Sequence, residues 1–168
     1  MILTLTAILI TILLILLNGI FVAVEFAVVT SKRSKMQALA ETGDRPSRLA
    51  LDLMTNLPLS ISGAQLGITV TSLGLGLVAE PAFAKVIEHF ITEPLGMPKT
   101  LSHAIAFSFA LFIVVFMHMV IGEMVPKNLA LTNPETVLCK VARPHRSFVI
   151  IFRPVIWFLN KVSSLLLK

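Results

Sequence analysis

Apolar positions along this chain fall into three runs that are too long and too continuous for the half-buried helices of a soluble domain. From Met1 to Ser31 the only Asp, Glu, Lys or Arg is Glu25, and Leu53–Ala79 and Leu101–Gly122 contain none. Each run reaches the roughly 20 residues that an α-helix needs to cross about 30 Å of hydrocarbon. The pattern predicts three transmembrane helices near residues 3–31, 57–79 and 101–126. The first run has no basic flank before it and no small-residue cleavage site after it, so it reads as a retained span and not a signal peptide.

The segments between and after these runs have a different rhythm. Lys32 to Asn56 predicts an amphipathic helix broken at Gly43 to Pro46, and Pro81 to Thr100 predicts a short outer helix with a turn from Glu93-Pro94 to Pro98. Residues 134–168 are apolar in patches, but Lys140, Arg143, Arg146, Arg153 and Lys161 interrupt them and Pro144 and Pro154 break them. They predict a belt of interfacial helices on the cytoplasmic leaflet, with Trp157 near the headgroups, in preference to a fourth span. The predicted fold class is an all-α membrane protein without strands: three transmembrane helices plus cytoplasmic juxtamembrane helices. Neither an internal repeat nor a low-complexity tract stands out.

The second span departs from the other two in composition. It follows Pro58, a suitable first helical residue, and carries Gly63, Gly67, Gly74 and Gly76 among Ser60, Ser62, Gln65, Thr69, Thr71 and Ser72. That is too polar for lipid on all sides. Gly63 and Gly67 form a small-residue pair that lets a neighbour approach closely. Ser62, Gln65, Thr69, Ser72 and Gly76 recur at helical spacing and predict one face turned to a partner or a cavity.

Composition agrees with a membrane protein: 56% of residues are hydrophobic, and the mean hydropathy is +0.91. Charge sets the expected orientation. Lys32, Arg33, Lys35, Arg45 and Arg48 lie between the first two runs, only Lys85 and Lys99 lie between the second and third, and the other basic residues follow. The positive-inside rule then places the N-terminus outside and the C-terminus in the cytoplasm of a multi-pass protein in the inner (plasma) membrane. The net charge of +5 is this collar. Because the basic residues flank spans and carry no interleaved aromatic platform, a nucleic-acid partner is disfavoured. Cys139 stands alone, which leaves no disulfide framework and no thiolate metal cluster.

Candidate chemistry concentrates in His118-Met-Val-Ile-Gly122-Glu123-Met-Val-Pro126-Lys127. Pro126 has no amide hydrogen and crowds the carbonyl four residues back, so the Gly122 oxygen is expected to lie unpaired beside the Glu123 carboxylate. Two hard oxygens directed into one space make half of a cation site, and an acid at membrane depth is by default a functional hypothesis. The competing reading pairs Glu123 with Lys127 four residues on. Asn18 sits mid-span in the first helix, where it is either a ligand or an interhelical hydrogen-bonding group. Glu25 is a second intramembrane acid, matched in depth with Glu123, which is either neutral and bonded to the second span or near a cation. His118, five residues from Glu123, lies about 140° away on an ideal helix and reads as a packing residue or a proton-linked partner, not a ligand. Oxygen ligands without sulfur or paired histidines suit Mg²⁺, Ca²⁺, Mn²⁺ or Na⁺ better than Zn²⁺ or Cu²⁺.

Three ordered motifs carry a family resemblance: Leu17-Asn18-Gly19-Ile20-Phe21-Val22-Ala23-Val24-Glu25-Phe26-Ala27, then Gln65-Leu66-Gly67-Ile68-Thr69, then Gly122-Glu123-Met124-Val125-Pro126-Lys127. Together they cover nearly the whole chain, which resembles the transmembrane domain of the CorC/CNNM (cyclin M, hemolysin-C-like) family. The resemblance implies a homodimer of three-span protomers with a juxtamembrane belt, normally followed by cytoplasmic CBS modules and a CorC domain. It further implies Mg²⁺ export coupled to Na⁺ entry. Small polar side chains of the first two spans would hold the ion together with Gly122 and Glu123. Asn18 stands where cyclin M members have serine, Val22 replaces a second serine and Glu25 an asparagine. These departures leave open another divalent cation, protons, or a pocket in which Glu25 supplies the missing oxygen.

The expected ligand set is therefore Glu123, Gly122, Asn18, Glu25, Ser72, Thr69 and Gln65, with Pro126 as the structural kink. Two functions compete: an ion transporter, favoured by the polar face of the second span and the two acids, and a membrane-embedded dimeric sensor or interaction module without transport of its own. An enzyme is disfavoured because no nucleophile motif accompanies His118 and Glu123. No CBS-like sequence follows within the chain, which therefore reads as a truncated piece or a minimal member.

Overall fold

The structure, a computed structural model, describes residues 2–91 and 99–166. The chain forms α1 (Ile2–Thr30), α2 (Arg33–Glu41), α3 (Arg45–Thr55), α4 (Leu57–Ile91), α5 (Lys99–Met117), a π-helical segment (His118–Met124), α6 (Val125–Thr132) and α7 (Pro134–Leu166). Among the described residues every regular element is helical.

Local sequence explains the boundaries around α2 and α3. Gly43 takes a φ of +93°, which only glycine adopts without strain, and so reverses the chain between the two helices. Asp44 caps α3 by accepting from the Ser47 amide at 3.0 Å, with Pro46 in the first turn. The Ser47 hydroxyl donates to the same carboxylate. The predicted break at Gly43–Pro46 is thus a capped turn.

Prolines elsewhere interrupt less than the sequence suggested. The second apolar run does not end near residue 79. α4 continues through Pro81 to Ile91, since a proline removes one hydrogen bond and an otherwise well-formed helix absorbs the loss. The expected turn from Glu93 to Pro98 lies outside the described residues. Likewise α7 runs unbroken through Pro144 and Pro154. Among the described residues four helical stretches are long and apolar enough to cross a membrane, one more than predicted: residues 5–30, 57–88, 100–132 and 134–166.

The chain divides into two compact units. The first comprises Met1–Asn18 and Thr69–Met124. Its core is Ile15, Leu75, Ala79 and Val114, with Leu14, Phe83 and Met117 packed against it. Gly74 admits Leu14, whose Cδ1 would lie 3.3 Å from an added Cβ.

The second unit comprises Gly19–Ile68 and Val125–Lys168. Met36, Ala50 and Leu53 of the α2–α3 hairpin close on Leu138 and Ala142 of α7 and on Ala27 and Val28 of α1. Met36 and Leu138 are fully buried, each worth about 1.5–3 kcal/mol of apolar transfer. Glu135, buried in the first turn of α7, accepts from the Lys32 amide at 3.2 Å and from Lys35 Nζ at 3.0 Å. Arg146 meets Asp52 of α3 at 3.6 Å.

One level of α4 meets a long stretch of α7. A Cβ at Gly63 would lie 2.6 Å from Val149, 3.4 Å from His145 and 3.5 Å from Ile156, while Ser62 Oγ donates to Asn160 Oδ1 at 2.8 Å. Residues 145 and 160 of a helix are about 22 Å apart. A helix lying alongside α4 would meet successively deeper residues of it, so α7 crosses α4. Gly67 receives the ring of Phe21 in the same way.

Candidate cation site

Asn18 is the hub of a polar knot inside the first unit. Its side chain is fully buried. The amide nitrogen donates to the Gly122 carbonyl at 3.0 Å, and Oδ1 accepts from Thr71 Oγ1 at 2.8 Å and Ser72 Oγ at 3.4 Å. One residue of α1 thereby ties two consecutive residues of α4 to the π-helical segment. Such an amide contributes about 0.6–2 kcal/mol to helix association in a membrane.

The π-helical segment explains how the Gly122 oxygen becomes available. Pro126 cannot donate to it, and the wider turn of His118–Met124 starts before that proline. The Gly122 oxygen does not lie unpaired as expected, because the Asn18 amide donates to it. Gly122 is itself required by close approach: an added Cβ would stand 3.0 Å from His118 Cδ2 and 3.3 Å from Asn18 Nδ2.

His118, set aside on ideal-helix phase, belongs to this cluster. Its Nε2 lies 3.3 Å from Ser72 Oγ and 3.7 Å from Glu123 Oε1. Five residues approach one full turn where the repeat is i to i+5 and fall far from it where the repeat is i to i+4. The carboxylate of Glu123 thus has His118 as a neighbour, while the Lys127 ammonium sits 4.7 Å above the Phe26 ring. The proximity of His118 to Glu123 is the feature that sequence reasoning missed, and a proline two to four residues after a Gly-Glu pair is the signal that could have raised it.

In the second unit Gln65 Nε2 donates to Glu25 Oε1 at 3.4 Å. Thr69 and Gln65 are exposed, whereas Thr71 is buried against Asn18. The threonine that reaches the knot is Thr71, which continues the small-residue stripe of Gly67 and Gly74. Among the described residues no three His, Cys, Asp or Glu side chains cluster as a metal site. What the knot presents is a carbonyl, an amide, two hydroxyls, one imidazole and one carboxylate.

Several apolar helices enclosing such a knot define a multi-pass membrane protein. The sequence model of the cyclin M transmembrane N-terminal domain matches residues 9–168. The chain belongs to this cyclin M (CNNM) family. It is 42% identical to UPF0053 protein YhdT of Bacillus subtilis over 153 residues, covering 91% of this chain and 33% of that protein. To Rv1841c of Mycobacterium tuberculosis it is 38% identical over 164 residues, 98% of this chain and 46% of that protein. A more distant relative, UPF0053 protein sll0260 of Synechocystis, is 29% identical over 160 residues, 92% of this chain and 34% of that protein. The chain therefore spans between a third and about half of the length of these relatives.

Proposed function

We propose that the chain is the ion-conducting domain of a divalent-cation transporter whose substrate is Mg²⁺, exported in exchange for Na⁺. The observation that carries this reading is the Asn18 amide seated on the Gly122 carbonyl, with Glu123 next in sequence. A buried amide N–H on a carbonyl is a neutral partner that a cation can replace. Rotation of the Asn18 side chain would turn Oδ1 toward the same space, where Gly122 O, the hydroxyls of Thr71 and Ser72 and the Glu123 carboxylate supply further hard oxygens suited to Mg²⁺. One carboxylate among neutral oxygens suits transient binding, as a transported ion must enter and leave. The π-helical segment is the element whose rearrangement would alternate access.

The membrane arrangement we favour keeps three spans, N-terminus outside and C-terminus cytoplasmic, with α7 as an interfacial belt. The crossing of α7 over α4 at Ser62–Gly63 supports it. So does cost: a span centred on residue 150 would carry Arg146 and Arg153 through the hydrocarbon, at about 2.5–3.5 kcal/mol each near the centre. The longer relatives support the expectation that cytoplasmic regulatory domains accompany this part in a full-length protein.

Glu123→Gln keeps the shape and removes the charge. We expect it to abolish Mg²⁺ binding in isothermal titration and Mg²⁺ flux in proteoliposomes. Glu25→Gln should have a smaller or ion-specific effect. Unchanged affinity and flux in Glu123→Gln would instead favour the second reading, a membrane-embedded interaction module.

A two-fold homodimer completes the proposal. Gly63 and Gly67 are filled within the protomer by Val149 and Phe21, so the dimer surface belongs elsewhere on α4. Gly76 faces open space, and Leu73 and Leu77 beside it are 65% and 78% exposed. Cysteines introduced at Leu73 and Leu77 should crosslink pairs of protomers in lipid. A monomer in both lipid and detergent would remove the dimer from the proposal.

A further inference from the structure

A groove of about 960 Å³ opens between α2, the start of α3 and the first turns of α7. Its charges do not balance. Two acids line it, and both are occupied: Glu135 by the Lys32 amide and Lys35, Asp44 by its cap on Ser47. Besides Lys35, three further cations line it, Arg45, Lys140 and Arg143, and among the described residues none of their side chains makes an ion pair or hydrogen bond. Lys140 and Arg143 are three residues apart on α7 and so share a face. Leu39 and Leu49 of the α2–α3 hairpin and Cys139 of α7 add an apolar lining, with Leu39 39% exposed.

We propose that this groove binds the headgroup of an anionic phospholipid. Two guanidinium groups and an ammonium converging on one space suit a phosphate, which accepts several charge-assisted hydrogen bonds. The apolar lining selects an amphiphile over a free anion. Position agrees. The α2–α3 hairpin joins the end of α1 to the start of α4, on the side where basic residues collect, and the cytoplasmic leaflet facing that side carries the negative lipid. The lipid would tie α2, α3 and α7 together where the belt leaves α6, a role distinct from that of the cation site.

Titration of the purified full chain with phosphatidylglycerol and with phosphatidylcholine, read by native mass spectrometry, tests the assignment. The unmodified chain should prefer phosphatidylglycerol. Combined Arg45→Gln, Lys140→Gln and Arg143→Gln should weaken that binding by about tenfold or more, since each basic group near a membrane surface contributes measurably to anionic-lipid attraction. A control with the same loss of charge outside the groove, Arg33→Gln, Arg153→Gln and Lys161→Gln, should stay within about twofold of the unmodified chain. Equal loss in both variants would make this a general property of the basic collar and overturn the groove. No preference for phosphatidylglycerol would overturn it as well. Displacement of the lipid by equimolar inorganic phosphate would reassign the groove to a soluble anion.

Discussion

Two imidazoles in apolar helices, His118 and His145, show how much a residue's meaning depends on its neighbours. His118 has Ser72 and Glu123 within reach, whereas His145 is fully buried with neither ring nitrogen hydrogen-bonded, packed near Phe21 and Gly63. An unsatisfied buried polar group costs about 1–3 kcal/mol, and an apolar side chain of similar volume removes that cost. His145→Leu should therefore leave the melting temperature unchanged or raise it, as followed by scanning fluorimetry in detergent. A drop of several degrees would mean that the ring is satisfied in the membrane and is held for a reason. Sequence alone could not separate the two histidines. Both sit in apolar helices, and only the packing around each ring distinguishes them.

At the scale of the element, the third helix departs from regularity at the place where the chemistry is. Its apolar run and its Gly-Glu pair were legible, because they follow from residue types, whereas the expected end at Pro126 was not met: the helix continues to Thr132. The π-helical segment was not legible: phase arithmetic on an ideal α-helix excluded His118, and the same arithmetic on α4 chose Thr69 and missed Thr71. Pro126→Ala tests the element directly. Alanine restores the amide that can bond the Gly122 carbonyl in α-helical register, in competition with Asn18 Nδ2. The π-helical turn should tighten, His118 should move away from Glu123, and Mg²⁺ affinity should fall although the local helix becomes more regular. Retained affinity with a π-helical turn still present would show that side-chain packing, and not the missing amide, shapes this segment. The prolines of α4 and α7 illustrate the converse. Pro81, Pro144 and Pro154 read as breaks yet sit inside continuous helices, because whether a proline ends a helix depends on the packing that holds both sides of it.

For the whole molecule, apolar length and basic asymmetry identified a multi-pass helical protein, but they count helices that are able to cross, not helices that do. α7 is long enough to be a fourth span, and its orientation follows from contacts that no window of sequence contains. His145, Val149, Ile156 and Asn160 all meet α4 at one level, and Arg146 reaches Asp52 on the α2–α3 hairpin. If α7 lies along the interface, Trp157 and Lys161, stacked at 5.4 Å, sit among the headgroups. Cysteines placed singly at Ile151, Phe158 and Leu165 in a Cys139→Ser background test this arrangement with a membrane-impermeant thiol reagent. In sealed right-side-out vesicles none of the three should label from outside. In inverted vesicles the three positions, seven residues apart and so on one face of the helix, should label to a similar extent, without a gradient toward residue 166. A crossing helix gives the opposite pattern, with Leu165 reactive only from the outside and Ile151 protected from both. That result would add a fourth span and place the C-terminus outside, which would also remove α7 from the cytoplasmic belt on which the proposed topology rests.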